Sequence, residues 1–453
     1  MLQYLLTGQT GGLVHAASSL PWDRRLFIPC LGGLGAGLVL YFGGRLARGR
    51  SATDFMEAIV LGDGVMPVRP ILVRCLSSLL SISSGGSIGR EGPMVQLASM
   101  LASWVGQLLK VPTPRLRLLV ACGVAAGIAS AYKAPIAGSL FVAEIVLGSI
   151  AMESFGPLVF SAVIATLTSR HFADAVPLYN TNGVPLHSSW EIIPYLFLGL
   201  LAGSGGPMFL QLMRGAERLF GRLPGPRYVR LATGGLVVGA MSVYRPEVWG
   251  NGYSVVTRLL NETWGWDALG IILLCKLLAT AATVGSGAVG GVFTPTLFVG
   301  AVLGFLFEKT YHALWPNLTS DPRAYALVGM GCFLTATTHA PLMAIIMLFE
   351  MTLDYDIVLP LMLACVTAYY TATSIDESSI YTGALARRGA RLPAPVPARR
   401  ACVADILKQD PVAISETASL KEIATMFARS GHNHLYVVDG EKRLRGAISL
   451  MDI

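Results

Sequence analysis

The sequence predicts an all-α polytopic membrane protein built from two duplicated halves of broken, unequal helices, with a short α/β piece at the C-terminal end. Three observations carry that expectation. The chain is too poor in charge to clothe a soluble body. Its apolar runs are uneven in length and interrupted. A Gly/Pro-rich block in the first half recurs in the second.

Charged residues make up 13% of the 453 residues and apolar ones 53%, and mean hydropathy is +0.59. A soluble domain carries roughly 25% charged residues. With so few, lipid must replace water over much of the outside. The chain has 50 Gly and 25 Pro, which break soluble helices but allow close packing and interruption in membrane ones. The opening MLQYLLTGQTGG lacks a basic region followed by a long apolar core, so no cleavable signal peptide is expected. The seven cysteines are scattered, without a CxxC or a Cys/His cluster. They read as small buried hydrophobes, and no metal site is expected. The net charge of +7 does not point to nucleic acid. The basic residues flank apolar runs: Arg45, Arg48 and Arg50, then Arg387, Arg388, Arg391, Arg399 and Arg400. That pattern places those flanks on the cytoplasmic side.

Apolar stretches run from about Leu26 to Thr373. Several fall short of the roughly 20 residues that cross a hydrocarbon core. The long stretches Leu118–Leu147 and Tyr325–Met351 are each cut by Ala-Pro, at Ala134-Pro135 and Ala340-Pro341. Short helices inside a membrane expose backbone ends, tolerated only around a protein-lined or watery cavity, where they can bind ions.

The repeat aligns Gly85–Pro93 (GGSIGREGP) with Gly287–Pro295 (GAVGGVFTP), so that Gly85, Gly89 and Pro93 meet Gly287, Gly291 and Pro295. Downstream, Gly123 meets Gly329, the two Ala-Pro pairs coincide, and Glu144 meets Glu350. Duplicated halves with broken helices place a transport site at their interface.

Composition changes after Thr373. The expected organisation is a transmembrane part over 1–390, a Pro/Arg linker over 391–400, and a soluble piece over 401–453. That piece predicts a helix at Ser419–Ser430, a strand at His434–Val438, a turn at Asp439-Gly440 and a strand at Gly446–Leu450. It ends where another helix should begin, and Met1–Leu6 reads as the tail of a helix, so both ends are expected to be truncated.

The chemistry concentrates in GREGP, Gly89 to Pro93. Gly89 and Gly92 allow close backbone approach, and Pro93 suits a first helical turn. Glu91 therefore falls at a helix N-terminus at membrane depth, where free N–H groups make an anion site. Ionised, its carboxylate occupies the place a permeating anion would use; protonated or displaced, it frees that place. The blander alternative is a capping carboxylate paired with Arg90. Ionisable groups inside a membrane favour a functional role. In the second half, GGVFTP (Gly290 to Pro295) starts another helix. Its Val292 and Phe293 amides face the same centre, with Phe293 standing where the first half has Glu91.

GREGP, GGVFTP and Ser379-Ile380-Tyr381, in that order, resemble the CLC family of voltage-gated chloride channels and proton/chloride antiporters, over about Leu26 to Gly389. The resemblance implies about seventeen helices in two inverted halves and a homodimer with one pore per subunit. It makes Glu91 the gate. It gives Val292 and Phe293 as amide donors, and Tyr381 as a hydroxyl donor, to the central anion. The tail resembles a first CBS motif, implied to lie in the cytoplasm. A nucleotide would be implied only at a complete CBS pair, and no other cofactor is expected.

Two departures from the family pattern matter. The loop that gives a serine hydroxyl to the anion is altered to Gly49-Arg50-Ser51-Ala52-Thr53-Asp54-Phe55, with Ser51 taken as the donor and a simple N-cap as its alternative. The antiporters' paired glutamates correspond to Glu144-Ile145, which leaves Glu144 as the residue for a proton path. Isoleucine carries no proton, so either coupling is lost or protons reach Glu91 by water or through Glu144. The run Phe141–Leu147 with Met152–Phe155 resembles a bacterial branch of voltage-gated chloride channels, which is favoured, with a proton/chloride antiporter as the alternative. Expected partners are chloride, protons, lipid and a second copy of the chain, in a bacterial inner membrane.

A bare anion is very costly in hydrocarbon, and one helix end offsets only about 0.3–1 kcal/mol at exposed sites. Several helix ends and hydroxyls are needed together, yet binding must stay weak enough for release. Uncharged donors meet both demands. Arg90, Lys133 and Lys276 near these motifs either raise the local potential or are paired or snorkelling charges. A sodium-coupled carrier of an organic anion would need an acidic pair for the cation, and a membrane enzyme a nucleophile–base pair or metal cluster. The sequence offers neither.

Overall fold

The computed structural model describes residues 4, 12–46, 54–172, 178–179, 183, 191–262, 264–315, 321–387, 413–430, 434–441 and 443–449. Two compact units divide the chain, Met1–Leu392 and Pro393–Ile453.

The first unit holds seventeen α-helices among the described residues. In the first half these are α1 (Leu13–Ser19), α2 (Trp22–Leu46), α3 (Phe55–Val60), α4 (Val68–Ser83), α5 (Glu91–Leu108), α6 (Thr113–Tyr132), α7 (Pro135–Phe141) and α8 (Met152–Phe172). The second half brings α9 (Ile192–Gly221), α10 (Arg227–Tyr244), α11 (Tyr253–Asn261), α12 (Trp266–Gly285), α13 (Phe293–Leu314), α14 (Pro322–Thr338), α15 (Pro341–Thr352), α16 (Val358–Ile375) and α17 (Ile380–Arg387). Among the described residues, seven helices are long and apolar enough to cross a membrane, while the Pro135–Val146 and Pro341–Thr352 stretches are shorter.

The repeat is visible residue by residue. Gly85 (φ +98°) and Gly287 (φ +94°), aligned in sequence, both adopt the left-handed backbone that opens the loop before α5 and α13. A Cβ on Gly85 would also lie 2.5 Å from the Trp249 ring. α6 and α14 both end on a left-handed residue, Lys133 (φ 57°) and His339 (φ 59°). Each is followed by Ala-Pro, which starts the next helix where a missing N–H costs nothing. The aligned glycines Gly123 and Gly329 sit where paired helices touch backbone to backbone. A Cβ on Gly123 would lie 2.8 Å from the Ala98 carbonyl of α5, and one on Gly329 would lie 2.4 Å from the Gly300 carbonyl of α13.

α7 and α15 differ in one respect. α7 passes into a π-helical turn, Val142–Val146, that carries Glu144; α15 runs on as α-helix to Thr352 and carries Glu350. Lys276 of α12 is fully buried. It donates to the carbonyls of Val248 (3.0 Å) and Gly250 (2.7 Å), so it is held by backbone rather than snorkelling.

The second unit has β1 (Ala413–Ser415), α18 (Leu420–Ser430), β2 (His434–Val438) and β3 (Leu444–Ser449). Strand order is β1-β2-β3, with β1 parallel and β3 antiparallel to β2. Ser419 and Glu422 cap α18 reciprocally: the Ser419 N–H donates to the Glu422 carboxylate at 2.8 Å. The last strand starts earlier than the sequence pattern suggests, because Asp439 accepts the Arg443 N–H (2.9 Å) and closes the turn sooner. β1 was not expected; three residues give too short a run to show period-two alternation.

Candidate functional site

α5 and α13 begin with the same offset to their prolines: Glu91 and Phe293 are first residues, and Pro93 and Pro295 stand two further on. The loops before them are tied together by an antiparallel bridge between repeat-equivalent glycines. The Gly89 N–H donates to the Gly291 carbonyl (2.7 Å), and the Gly291 N–H returns to Gly89 (2.9 Å). The two helix N-termini thus meet at the pseudo-symmetric centre, where their first-turn N–H groups lack intrahelical acceptors.

Glu91 crosses from one half to the other. One carboxylate oxygen, Oε1, accepts the backbone N–H of Thr294 (3.1 Å), and Oε2 accepts the Thr294 hydroxyl (3.2 Å). The side chain is buried and bonds to Thr294, not Arg90. A carboxylate from α5 therefore sits on the N-terminus of α13, where the helix dipole favours negative charge.

Two cavities flank it. The first, about 210 Å³, is lined by Glu91, Val292, Phe293, Phe141, Tyr381, Asp54, Arg74 and others. The second, about 160 Å³, is lined by Glu91, Arg90, Tyr132, Tyr179, Asn251, Tyr253, Thr294 and others. Among the described residues, Glu91 is the one that lines both. Tyr381 packs edge-on against Phe141, ring centroids 5.2 Å apart, and Tyr132 lies against Phe293 at 4.9 Å.

Of the residues singled out from sequence, Glu91, Val292, Phe293 and Tyr381 come together around the first cavity. Ser51 lies outside the described residues; Asp54, three positions on, leads α3 and lines that cavity. Glu144 is elsewhere. Its oxygens accept the N–H groups of Leu342 (3.2 Å) and Met343 (2.8 Å) at the start of α15. Glu350 does the same in return for Ile136 (3.0 Å) and Ala137 (2.8 Å) of α7. Each half thus caps a helix of the other.

Sequence reasoning missed Thr294 and Tyr132, whose hydroxyls lie 3.0 Å apart. The signal for Thr294 was its place in GGVFTP, a hydroxyl one residue past the assigned amides. Nothing local marked Tyr132.

The family described as voltage gated chloride channel matches residues 32–373, and the CBS domain matches 403–453. The putative chloride channel protein ClcB-like of Ralstonia nicotianae (strain ATCC BAA-1114 / GMI1000) is 54% identical over 390 residues, 85% of this chain and 91% of that protein. The voltage-gated ClC-type chloride channel ClcB of Escherichia coli O9:H4 (strain HS) is 42% identical over 387 residues, 84% and 92% of the two chains. Among solved structures, a slow cyanobacterial Cl−/H+ antiporter superposes with a TM-score of 0.74 at 26% identity, covering 85% of this chain and 92% of that one. A CLC-type fluoride/proton antiporter shares the fold at 22% identity, with a TM-score of 0.67 over 84% and 93% of the chains. Bridged repeat loops, reciprocal caps and these likenesses agree: the chain is a multi-pass membrane protein that belongs to the voltage-gated chloride channel (CLC) family and ends in CBS-domain sequence.

Proposed function

We propose that the protein conducts chloride across a bacterial inner membrane, through one pore per subunit of a homodimer, with Glu91 as a protonatable gate. The carrying observation is that, among the described residues, Glu91 alone lines both cavities while its carboxylate rests on a helix N-terminus. Ionised, it competes with chloride for the N–H groups of α13 and blocks passage. Protonated, it no longer carries the charge that the dipole rewards, and chloride takes its place. Chloride in the first cavity is met by the free first-turn amides of Val292 and Phe293 and by the Tyr381 hydroxyl, with Ser51 a further donor from the segment before α3. None of these donors is charged, so the ion is stabilised without being trapped. The basic residues Arg387, Arg388, Arg391, Arg399 and Arg400 support a cytoplasmic side for the CBS sequence that follows them.

A voltage-gated channel is favoured over a proton/chloride antiporter. Ile145 carries no proton, and both oxygens of Glu144 are engaged in capping α15. The antiporter reading keeps support from the likeness to the cyanobacterial Cl−/H+ antiporter. The gate is tested by chloride efflux from liposomes across a range of pH, wild type against Glu91→Ala. Flux should survive in the variant with its pH dependence lost. A pH profile equal to wild type would remove Glu91 from the gate.

A further inference from the structure

We propose that Thr294 and Tyr132 form a hydroxyl latch that holds the ionised Glu91 carboxylate closed and sets the pH at which it releases. The inference rests on the reading of Glu91 as the gate and names what tunes it.

Most helical threonines here spend their hydroxyl on a carbonyl one turn back. Thr283 bonds Ala279, Thr337 bonds Phe333 and Thr338 bonds Leu334. Thr294 is second in α13, so no helical turn precedes it and its proton is available to another acceptor. The hydroxyl points to Glu91 Oε2 (3.2 Å) while the Thr294 N–H holds Oε1 (3.1 Å). One residue thus grips both oxygens.

Tyr132 decides which way the threonine proton points. Its hydroxyl lies 3.0 Å from Thr294 Oγ1, and its buried ring is packed against Phe293. Each hydroxyl has one proton. When Tyr132 donates to Thr294, the Thr294 proton goes to the carboxylate, and the chain runs Tyr132 to Thr294 to Glu91. A bond to an ionised acceptor is about twice as strong as a neutral one, so the chain takes that direction while Glu91 is charged. A neutral carboxyl does not reward it, and the latch loosens. Two hydroxyls that merely satisfied each other would need no third partner.

The other titratable or charged groups facing Glu91 are Arg90 beside it, Arg74 and Asp54 across the first cavity, Tyr381 from α17, and Tyr179 and Tyr253 in the second cavity. None of them makes a hydrogen bond to its carboxylate among the described residues.

The test is chloride efflux from liposomes as a function of pH, with Thr294→Ala, Thr294→Ser and Tyr132→Phe in the wild-type and Glu91→Ala backgrounds. Losing a donor to the ionised form lets protonation occur at higher pH. Thr294→Ala should therefore raise the pH of half-maximal flux by about one unit. Thr294→Ser should restore the wild-type midpoint, and Tyr132→Phe should shift it the same way by less. In the Glu91→Ala background all should give one flat profile. An unshifted or lowered midpoint in Thr294→Ala overturns the latch, as does failure of Ser to rescue. If Thr294→Ala does not fold, an unshifted Tyr132→Phe overturns it. A Glu91→Ala protein that keeps its pH dependence overturns the gate itself, which separates the two failures.

Discussion

Gly89 and Gly291 leave room for one side chain between them, and Glu91 fills it. A Cβ on Gly291 would lie 2.4 Å from Glu91 Oε1, and one on Gly89 would lie 2.0 Å from Oε2. Gly291→Ala should therefore expel the carboxylate from the N-terminus of α13. Each charge-assisted bond lost is worth about 1.5–3 kcal/mol, and 1.4 kcal/mol is about tenfold in an equilibrium. With one bond lost, efflux at neutral pH should rise at least about tenfold, and with both lost more, up to the Glu91→Ala rate, if gating limits flux. A Gly291→Ala rate equal to wild type would mean that Glu91 finds its donors by another route. Glu91 was legible in the sequence because an acid between glycines, ahead of a proline, has few roles in an apolar chain. Thr294 and Tyr132 were not, because their importance is a contact between residues 162 apart. A hydroxyl within an apolar run reads the same whether it bonds its own helix or another.

Helix ends join helix faces in holding the two halves together, for α2 of the first half already packs along α10 of the second. Glu144 and Glu350 exchange places across the repeat, each supplying two acceptors to the N-terminus of the other half's short helix. Truncating either leaves two first-turn N–H groups without their partner, one of them on a buried residue, Met343 or Ala137. Glu144→Ala and Glu350→Ala should each cost about 2 kcal/mol, seen as comparable drops in melting temperature in detergent. The pH midpoint of flux should not move in Glu144→Ala; a moved midpoint would return that residue to the proton path. The sequence alignment paired these two glutamates correctly, because duplication preserves spacing. It could not show that they are exchanged between halves, since inversion of one half leaves no mark on residue order. The short helices were legible through Ala-Pro, which fixes where a helix starts. The π-helical turn at Val142–Val146 was not, because α15 keeps the same spacing from its proline to its glutamate and stays α-helical.

Across the whole molecule, every residue assigned to the gate among those described lies in the first unit. Removal of residues 393–453 should leave the pH dependence of efflux in place, and loss of that dependence would tie the CBS unit to gating. Proton coupling is likewise a property of the whole, since a coupled carrier needs titratable groups leading from Glu91 to the far side. Ile145 supplies none and Glu144 is committed to α15. Among the described residues, Asp54 is the other acidic side chain lining the first cavity, where Arg74 also lies. Under a fixed chloride gradient, the reversal potential should stay at chloride's equilibrium value when a pH gradient is imposed. A potential that follows the pH gradient would overturn the channel reading. Its return to the chloride value in Asp54→Asn would then place the proton route through the first cavity instead of through Glu144.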